Sequence, residues 1–402
     1  MVHPLVKLTG TTLIAIVAVT AVALVAGAVL TWRRWRRCRM VRTVAALACS
    51  QLLVALTVGL AVNQRQDFFS SWTDLAGADT PPAVAPRVTA GAMDARAAEH
   101  ARNAEPGHGV VLAFRLHGAR SKLNLPALVY LPPQYSLHSW RQRRFPVVEF
   151  LDGFPGRPTH WTNSLHIQTM LDAEIRAGRM PPTVAVFPTQ STDPSTRDSE
   201  CVDEVHGPQY ATYLTSDVKQ VLRRDFRVLP GRSGWGLIGY STGGFCAANL
   251  ALRRGFGYAA AASISGEFAP YTGPRVDDLF HGDRTVREAN TPTWVVRHDR
   301  HLPAIAVYAA CARPDPEPCQ EGRTFARAAR GSPVSVQKVE LPTGGHNFYV
   351  WRAVLPAALD FLSAHLSPPL APAAAPGHPK TVLPTPAPAP TARPVAHRSR
   401  RP

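Results

Sequence analysis

Trp235-Gly236-Leu237-Ile238-Gly239-Tyr240-Ser241-Thr242-Gly243-Gly244-Phe245-Cys246 is the stretch from which the rest of the chain can be read. A short apolar run ends in Gly-Tyr-Ser-Thr-Gly-Gly, and a helical pattern of small residues, Ala247 to Arg253, follows at once. A serine at so tight a strand-to-helix turn is strained at its apex, with its hydroxyl aimed above the sheet. Gly239 and Gly243 flank Ser241 where a Cβ would meet the neighbouring strand or helix. The helix start supplies free backbone N–H groups and a positive dipole end, which suit a developing oxyanion. A structural Gly-Ser turn is the plain alternative. The strand before and the helix behind favour a nucleophile.

The remainder of the chain limits the partners that Ser241 can have. Its 402 residues allow one large domain or two ordinary ones. The excess of 44 Lys+Arg over 28 Asp+Glu suggests a nucleic-acid partner until its distribution is seen. Six arginines crowd between Arg33 and Arg42, and Lys380, Arg393, Arg398, Arg400 and Arg401 lie in an acid-free tail. The middle of the chain is only mildly basic. It holds no zinc-ligand spacing, Walker loop or dinucleotide glycine pattern, so neither nucleic acid nor a metal or organic cofactor is expected.

Leu8 to Leu30 is almost wholly apolar and uncharged, long enough to cross a bilayer, and a second apolar run extends from Val44 to Val62. These place transmembrane helices at about 8–31 and 43–62. The arginine-rich loop between them belongs in the cytoplasm, which leaves both chain ends outside. A cleaved signal peptide fits less well, because the positive cluster follows the first apolar run instead of preceding it. Residues 1–76 then form a membrane anchor, and 77–107, rich in Ala, Pro and polar residues, a linker with helical character near 92–104. At the other end, 367–402 carries eleven prolines and almost no large apolar residue, so it is expected to be disordered or PPII-like. Its basic end suits contact with an anionic envelope polymer; a solvated spacer is the plainer role.

Between these lies a domain at 108–366. Val110–Leu116 and Leu125–Leu131 are strand-like, with Pro132-Pro133-Gln134-Tyr135 closing that hairpin. Phe145–Leu151, Thr183–Phe187, the run before Ser241, Tyr258–Ile264, Ala304–Ala310 and Val334–Leu341 read as further strands. Helical patterns occupy 164–177, 209–224, 321–330 and 353–366. Strands alternating with helices predict an α/β fold with a mostly parallel sheet covered on both faces.

A serine nucleophile needs a base, an acid and oxyanion donors. Of fifteen histidines, only His346 lies downstream in a glycine-rich loop directly after a strand, Leu341-Pro342-Thr343-Gly344-Gly345-His346. His298 and His301 lie in a charged segment and read as surface residues. The acid is expected between serine and histidine, and Asp315 stands a few residues past the Ala304–Ala310 strand, where it would hold the imidazole. Glu317, Glu321 and Glu267 compete for that place. Oxyanion donors are expected from the N–H of Thr242 and, in the loop after Leu151, of Phe154. Asp152 is near enough to touch substrate, or else to cap the turn.

Tyr-Leu-Pro-Pro-Gln-Tyr (130–135), Leu-Asp-Gly (151–153), Gly-Tyr-Ser-Thr-Gly-Gly (239–244) and Gly-Gly-His-Asn-Phe (344–348), with Trp351, occur in this order. Together they resemble the esterase family that includes esterase D (S-formylglutathione hydrolase) and the antigen 85 type mycolyltransferases. The resemblance covers 108–366 and is strongest to membrane-anchored actinobacterial members, which share an arginine loop and a Phe-Phe-Ser-Ser-Trp stretch (68–72 here). It implies an α/β-hydrolase three-layer sandwich, serine ester chemistry without metal, and roles for Ser241, His346 and the two backbone donors. Asp315 fits the esterase D pattern, whereas antigen 85 type enzymes use a glutamate in a following helix. The resulting expectation is an extracytoplasmic, membrane-anchored serine esterase working on a small-molecule or lipid ester through an acyl-enzyme. Two rivals stand beside it: an acyltransferase that passes the acyl group to a sugar or lipid hydroxyl, and a non-catalytic envelope-binding protein on a hydrolase fold.

Cys38 and Cys49 belong to the membrane part, leaving four cysteines in the domain and three connectivities. Cys311 and Cys319 bracket the Asp315 loop, and Cys201 and Cys246 are then left to pair. Disulfides suit an exported domain.

Overall fold

The computed structural model describes residues 10–31, 39–66, 72–75, 105–193, 197–253, 257–271 and 279–371, with the single residues 8, 94, 99 and 102. The centre of the arginine-rich loop, almost all of the linker and the tail beyond 371 lie outside the described residues.

Eight strands form one sheet: β1 (Val110–His117), β2 (Asn124–Leu131), β3 (Val147–Leu151), β4 (Val184–Pro188), β5 (Trp235–Tyr240), β6 (Ala260–Ile264), β7 (Ile305–Ala312) and β8 (Val334–Leu341). Their order is β1-β2-β4-β3-β5-β6-β7-β8. The β1–β2 and β2–β4 pairs are antiparallel, and every pair from β4–β3 to β7–β8 is parallel. Central strands such as Val-Val-Glu-Phe-Leu in β3 and Trp-Gly-Leu-Ile-Gly-Tyr in β5 are buried at every position, as a sheet covered on both faces requires. Successive residues of β5 enter opposite cores: Trp235 and Leu237 one, Ile238 and Tyr240 the other. Helix Thr242–Leu252 fills the first core with Phe245, Ala248 and Leu250; helix Phe348–His365 fills the second with Trp351, Leu355 and Leu359. This is the three-layer α/β-hydrolase architecture.

Several local readings need correction. The β1–β2 hairpin closes at residues 118–123, where Gly118 N–H donates to Leu123 O; Pro133–Ser136 is a 3-10 turn after β2. Asp217 settles the hairpin turn, because its buried carboxylate accepts from Arg120 N–H, Ser121 N–H and Ser121 O–H. A partner almost a hundred residues away is invisible to local turn propensity. The expected helix at 164–177 is present as Ile167–Arg176, starting after His166 at φ 51°, and a short helix that the pattern did not predict, Pro158–Asn163, precedes it. The segment leading to β7 holds helices Arg284–Ala289 and Pro292–His298, so His298 ends a helix.

Near the N-terminus two apolar helices, Thr11–Leu30 and Arg39–Gln66, pack on each other, each long and apolar enough to cross a membrane. The second extends beyond the expected 43–62 at both ends. At the base of the sheet, Phe145 N–H donates to Arg227 O just before β3. There Asp94 meets both Tyr135 Oη and, at 3.2 Å, Arg227 Nε. Arg144 and Leu370 exchange backbone hydrogen bonds at the same end.

Asp217→Ala would strand three donors of the hairpin turn, two of them on Ser121. The expected loss is about 3 kcal/mol, read by chemical denaturation. A loss under about 0.5 kcal/mol would show that the turn stands without this carboxylate.

Candidate active site

Ser241 is the residue between β5 and helix Thr242–Leu252, at φ 54° and ψ −128°, a conformation that costs a side-chain-bearing residue free energy. The surroundings enforce it. A Cβ on Gly239 would collide with the Gly243 carbonyl, and one on Gly243 with the Leu151 carbonyl of β3. Ser241 N–H donates to Ile264 O of β6 at 2.9 Å, fixing the elbow against the next strand.

Three chain segments converge here. His346 Nε2 lies 2.8 Å from Ser241 Oγ, and His346 Nδ1 lies 2.7 Å from Asp315 Oδ2. A carboxylate can only accept, so Nδ1 carries the proton and Nε2 is left as the acceptor for the serine hydroxyl. Gly344, at φ 117°, lets the loop after β8 bend toward the elbow. Asn347 then caps helix Phe348–His365 by accepting from Val350 N–H at 3.0 Å, which fixes the chain on the far side of the histidine. The Trp351 ring meets the imidazole nearly perpendicular, with centroids 5.2 Å apart. Asp315 stands at the N-terminal end of helix Pro316–Ala328 yet makes no side-chain cap bond, leaving its carboxylate to the imidazole. Side-chain exposures of 38 % for His346 and 14 % for Asp315 put the imidazole in reach of solvent and the carboxylate beneath it.

The competing acids sit nearby in other roles. Glu321 accepts from Phe268 N–H. Glu317 lies in the first turn of helix Pro316–Ala328. Glu267 lies beside the imidazole without the hydrogen bond that Asp315 makes. Burial pushes Glu267 up to about 7, with Glu321 and Glu317 adding to the rise and its own N–H and His346 opposing it.

Thr242 is the first residue of its helix, where backbone N–H groups have no intrahelical acceptor. The loop after β3 runs alongside: a Cβ on Gly153 would lie 3.0 Å from Ser241 Cβ. Phe154 N–H, next in that loop, meets no acceptor among the described residues. Asp152 is 2 % exposed, and its Oδ1 has no hydrogen-bond partner among the described residues. Burial pushes its carboxyl well above the ordinary range.

Two neighbours escaped sequence reading. Asp198 Oδ2 accepts from Thr242 Oγ1 at 2.8 Å, and Gln190 grips the Asp152 backbone. The one available signal was the position of Asp198, three residues before a cysteine expected to pair behind Ser241. Both expected disulfides are present, Cys201–Cys246 and Cys311–Cys319. Among the described residues no group of three or more His, Cys, Asp or Glu side chains is arranged to hold a metal ion.

The sheet order, the strained serine elbow and the loops at the carboxyl ends of the strands define an α/β-hydrolase. Residues 119–362 match the family model described as "Putative esterase", and the chain belongs to that family of serine hydrolases. It is similar to an uncharacterized protein of Corynebacterium glutamicum, 26 % identical over 254 residues, or 59 % of this chain and 56 % of the relative. The chain thus spans about half the length of the curated relative it matches. Among solved structures, a ferulic acid esterase aligns with a TM-score of 0.55 at 20 % identity, covering 65 % of this chain and 99 % of that one. S-formylglutathione hydrolase of Agrobacterium tumefaciens aligns at 0.55 and 16 % identity, covering 66 % and 98 %. At such identities these likenesses speak to the fold.

The raised Glu267 carboxyl has a consequence for stability. The unfolded chain loses this proton near the ordinary carboxyl range, and the folded chain keeps it to about pH 7. Stability therefore falls as pH rises across that window and levels off above it. Glu267→Gln should shrink the drop in Tm between pH 5 and pH 8; an unchanged drop would exclude this carboxyl as its source.

Proposed function

We propose that the chain is a serine carboxylic-ester hydrolase whose nucleophile is Ser241, base His346 and acid Asp315. The single observation that carries this reading is the unbroken hydrogen-bond line from Asp315 through the imidazole to a serine held in a strained elbow. His346 Nε2 takes the hydroxyl proton as Ser241 Oγ attacks the ester carbonyl. Thr242 and Phe154 N–H groups hold the oxyanion, and His346 returns the proton to the departing alcohol. Water, activated by the same imidazole, then releases the acid. Asp315 keeps the imidazole in the required tautomer and stabilises the imidazolium. Asp152, two residues before Phe154 in the same loop, is the proposed substrate-contacting carboxyl. Transfer of the acyl group to a sugar or lipid hydroxyl would share every step up to the acyl-enzyme.

The proposed setting is the outer face of a cytoplasmic membrane, with residues 1–76 as anchor, 77–107 as linker, 108–366 as catalytic domain and 367–402 as tail. Two long apolar helices flanking an arginine-rich loop support anchoring with that loop in the cytoplasm. Two disulfides support an oxidising compartment for the domain.

A fluorophosphonate probe followed by peptide mapping tests the nucleophile. Label is expected on Ser241 and is expected to vanish in His346→Ala. Ser241→Ala should lower ester hydrolysis by about 10³-fold or more, and Asp315→Asn by roughly 10⁴-fold in kcat. A folded chain that takes no label, or a Ser241→Ala variant that keeps its activity, would sink the reading. Adding a sugar acceptor during turnover separates hydrolysis from transfer.

A further inference from the structure

We infer that Gln190 and Asp198 are positioning residues that set the two halves of the oxyanion hole from one common brace. The inference rests on the reading of Ser241 as nucleophile and of Phe154 and Thr242 as oxyanion donors.

The two donors come from different parts of the chain, one from the loop after β3 and one from the helix after β5. The β3–β5 register and the close approach of Gly243 to the Leu151 and Asp152 carbonyls bring them together. The chain after β4 adds a brace that holds both. The Gln190 side chain makes a two-point contact with one residue's backbone: Oε1 accepts from Asp152 N–H at 2.6 Å, and Nε2 donates to Asp152 O at 2.9 Å. This pins the loop two residues before Phe154. Asp198 Oδ2 accepts from Thr242 Oγ1 at 2.8 Å, while Oδ1 accepts from Glu200 N–H at 3.0 Å. This pins the other donor residue.

The two grips are joined. Ser199 Oγ donates to Gln190 O at 2.6 Å and accepts from Cys201 N–H at 3.2 Å. Cys201 is in turn bonded covalently to Cys246, one turn into the helix that begins at Thr242. Asp198 and Ser199 are buried, so these bonds do not compete with bulk water. Gln190, Asp198 and Ser199 thus connect the Asp152 loop, the Thr242 hydroxyl and the nucleophile helix in one closed circuit. Neither side chain needs to touch substrate; each acts through the backbone it holds.

Loss of a donor from an oxyanion hole costs about 10²–10³-fold in kcat. Losing the brace moves a donor without deleting it, so about 10- to 100-fold is expected. The test uses the full-length chain in detergent micelles with a short-chain p-nitrophenyl ester. Gln190→Ala and Asp198→Ala should each lower kcat by that factor with KM changed less than about twofold. Gln190→Glu should do as badly as Gln190→Ala despite its shape, because its second oxygen would face the Asp152 carbonyl. Affinity for an alkylboronic acid, whose serine adduct is tetrahedral, should fall in step with kcat/KM. Thr242→Val keeps the backbone N–H and removes only the Asp198 contact, so it should reproduce Asp198→Ala, and adding Asp198→Ala to it should cost little more.

Unchanged kcat in folded Gln190→Ala and Asp198→Ala overturns the inference. So does a loss of kcat that leaves boronate affinity intact, since that marks a merely structural role. A wild-type chain that neither hydrolyses the ester nor takes up fluorophosphonate defeats the nucleophile assignment instead, which keeps the two failures apart.

Discussion

Everything at the candidate site depends on one close approach of backbone to backbone. Helix Thr242–Leu252 starts so near the end of β3 that Gly243 abuts the carbonyls of Leu151 and Asp152, with no space for a side chain. That approach turns the chain sharply at Ser241, raises the hydroxyl above the sheet and brings Gly153 alongside it. The cost is one residue in an unfavourable conformation and two positions closed to anything but glycine. The offsetting gain comes from the apolar core behind the elbow, where Phe245, Ala248 and Leu250 pack under the sheet and hold the helix in place.

The remaining parts reach the elbow because parallel strands deliver their carboxyl ends to one side. Asp315 follows β7 and His346 follows β8, the two strands farthest from the hairpin edge, and each loop is fixed at both sides. The Asp315 loop is bracketed by Cys311–Cys319, and the His346 loop by β8 and the Asn347 cap. The site is therefore assembled from short, doubly held loops, with distances set by the sheet register and not by long mobile segments.

The elbow, the histidine loop and the place of Asp315 beside that histidine were legible because each announces itself locally. Glycines mark the turns, an apolar run marks the strand, and chain order restricts the candidates. Asp315 could be preferred over Glu317 by its distance from the strand, although its failure to cap its own helix became visible only in three dimensions. Gln190, Asp198 and Asp217 were opaque for the opposite reason. Each acts on backbone or hydroxyl groups between 38 and 97 residues away, and no periodicity or spacing records such a partner. Helix Ile167–Arg176 likewise starts later than its apolar pattern suggested, because His166 before it is left-handed, and left-handed residues outside glycine leave little trace in composition.

The contacts at the base of the sheet bear on mechanics. Asp94 is held by Tyr135 and Arg227, and Leu370 by Arg144, all beside the strand ends opposite Ser241. Tension drawn along the chain from its N-terminal side would first load the Asp94 ion pair and the start of β3. The loops of the candidate site follow the carboxyl ends of β3, β5, β7 and β8, at the opposite end of the sheet. A pull on the domain from that side thus meets its first resistance a full strand length away from Ser241.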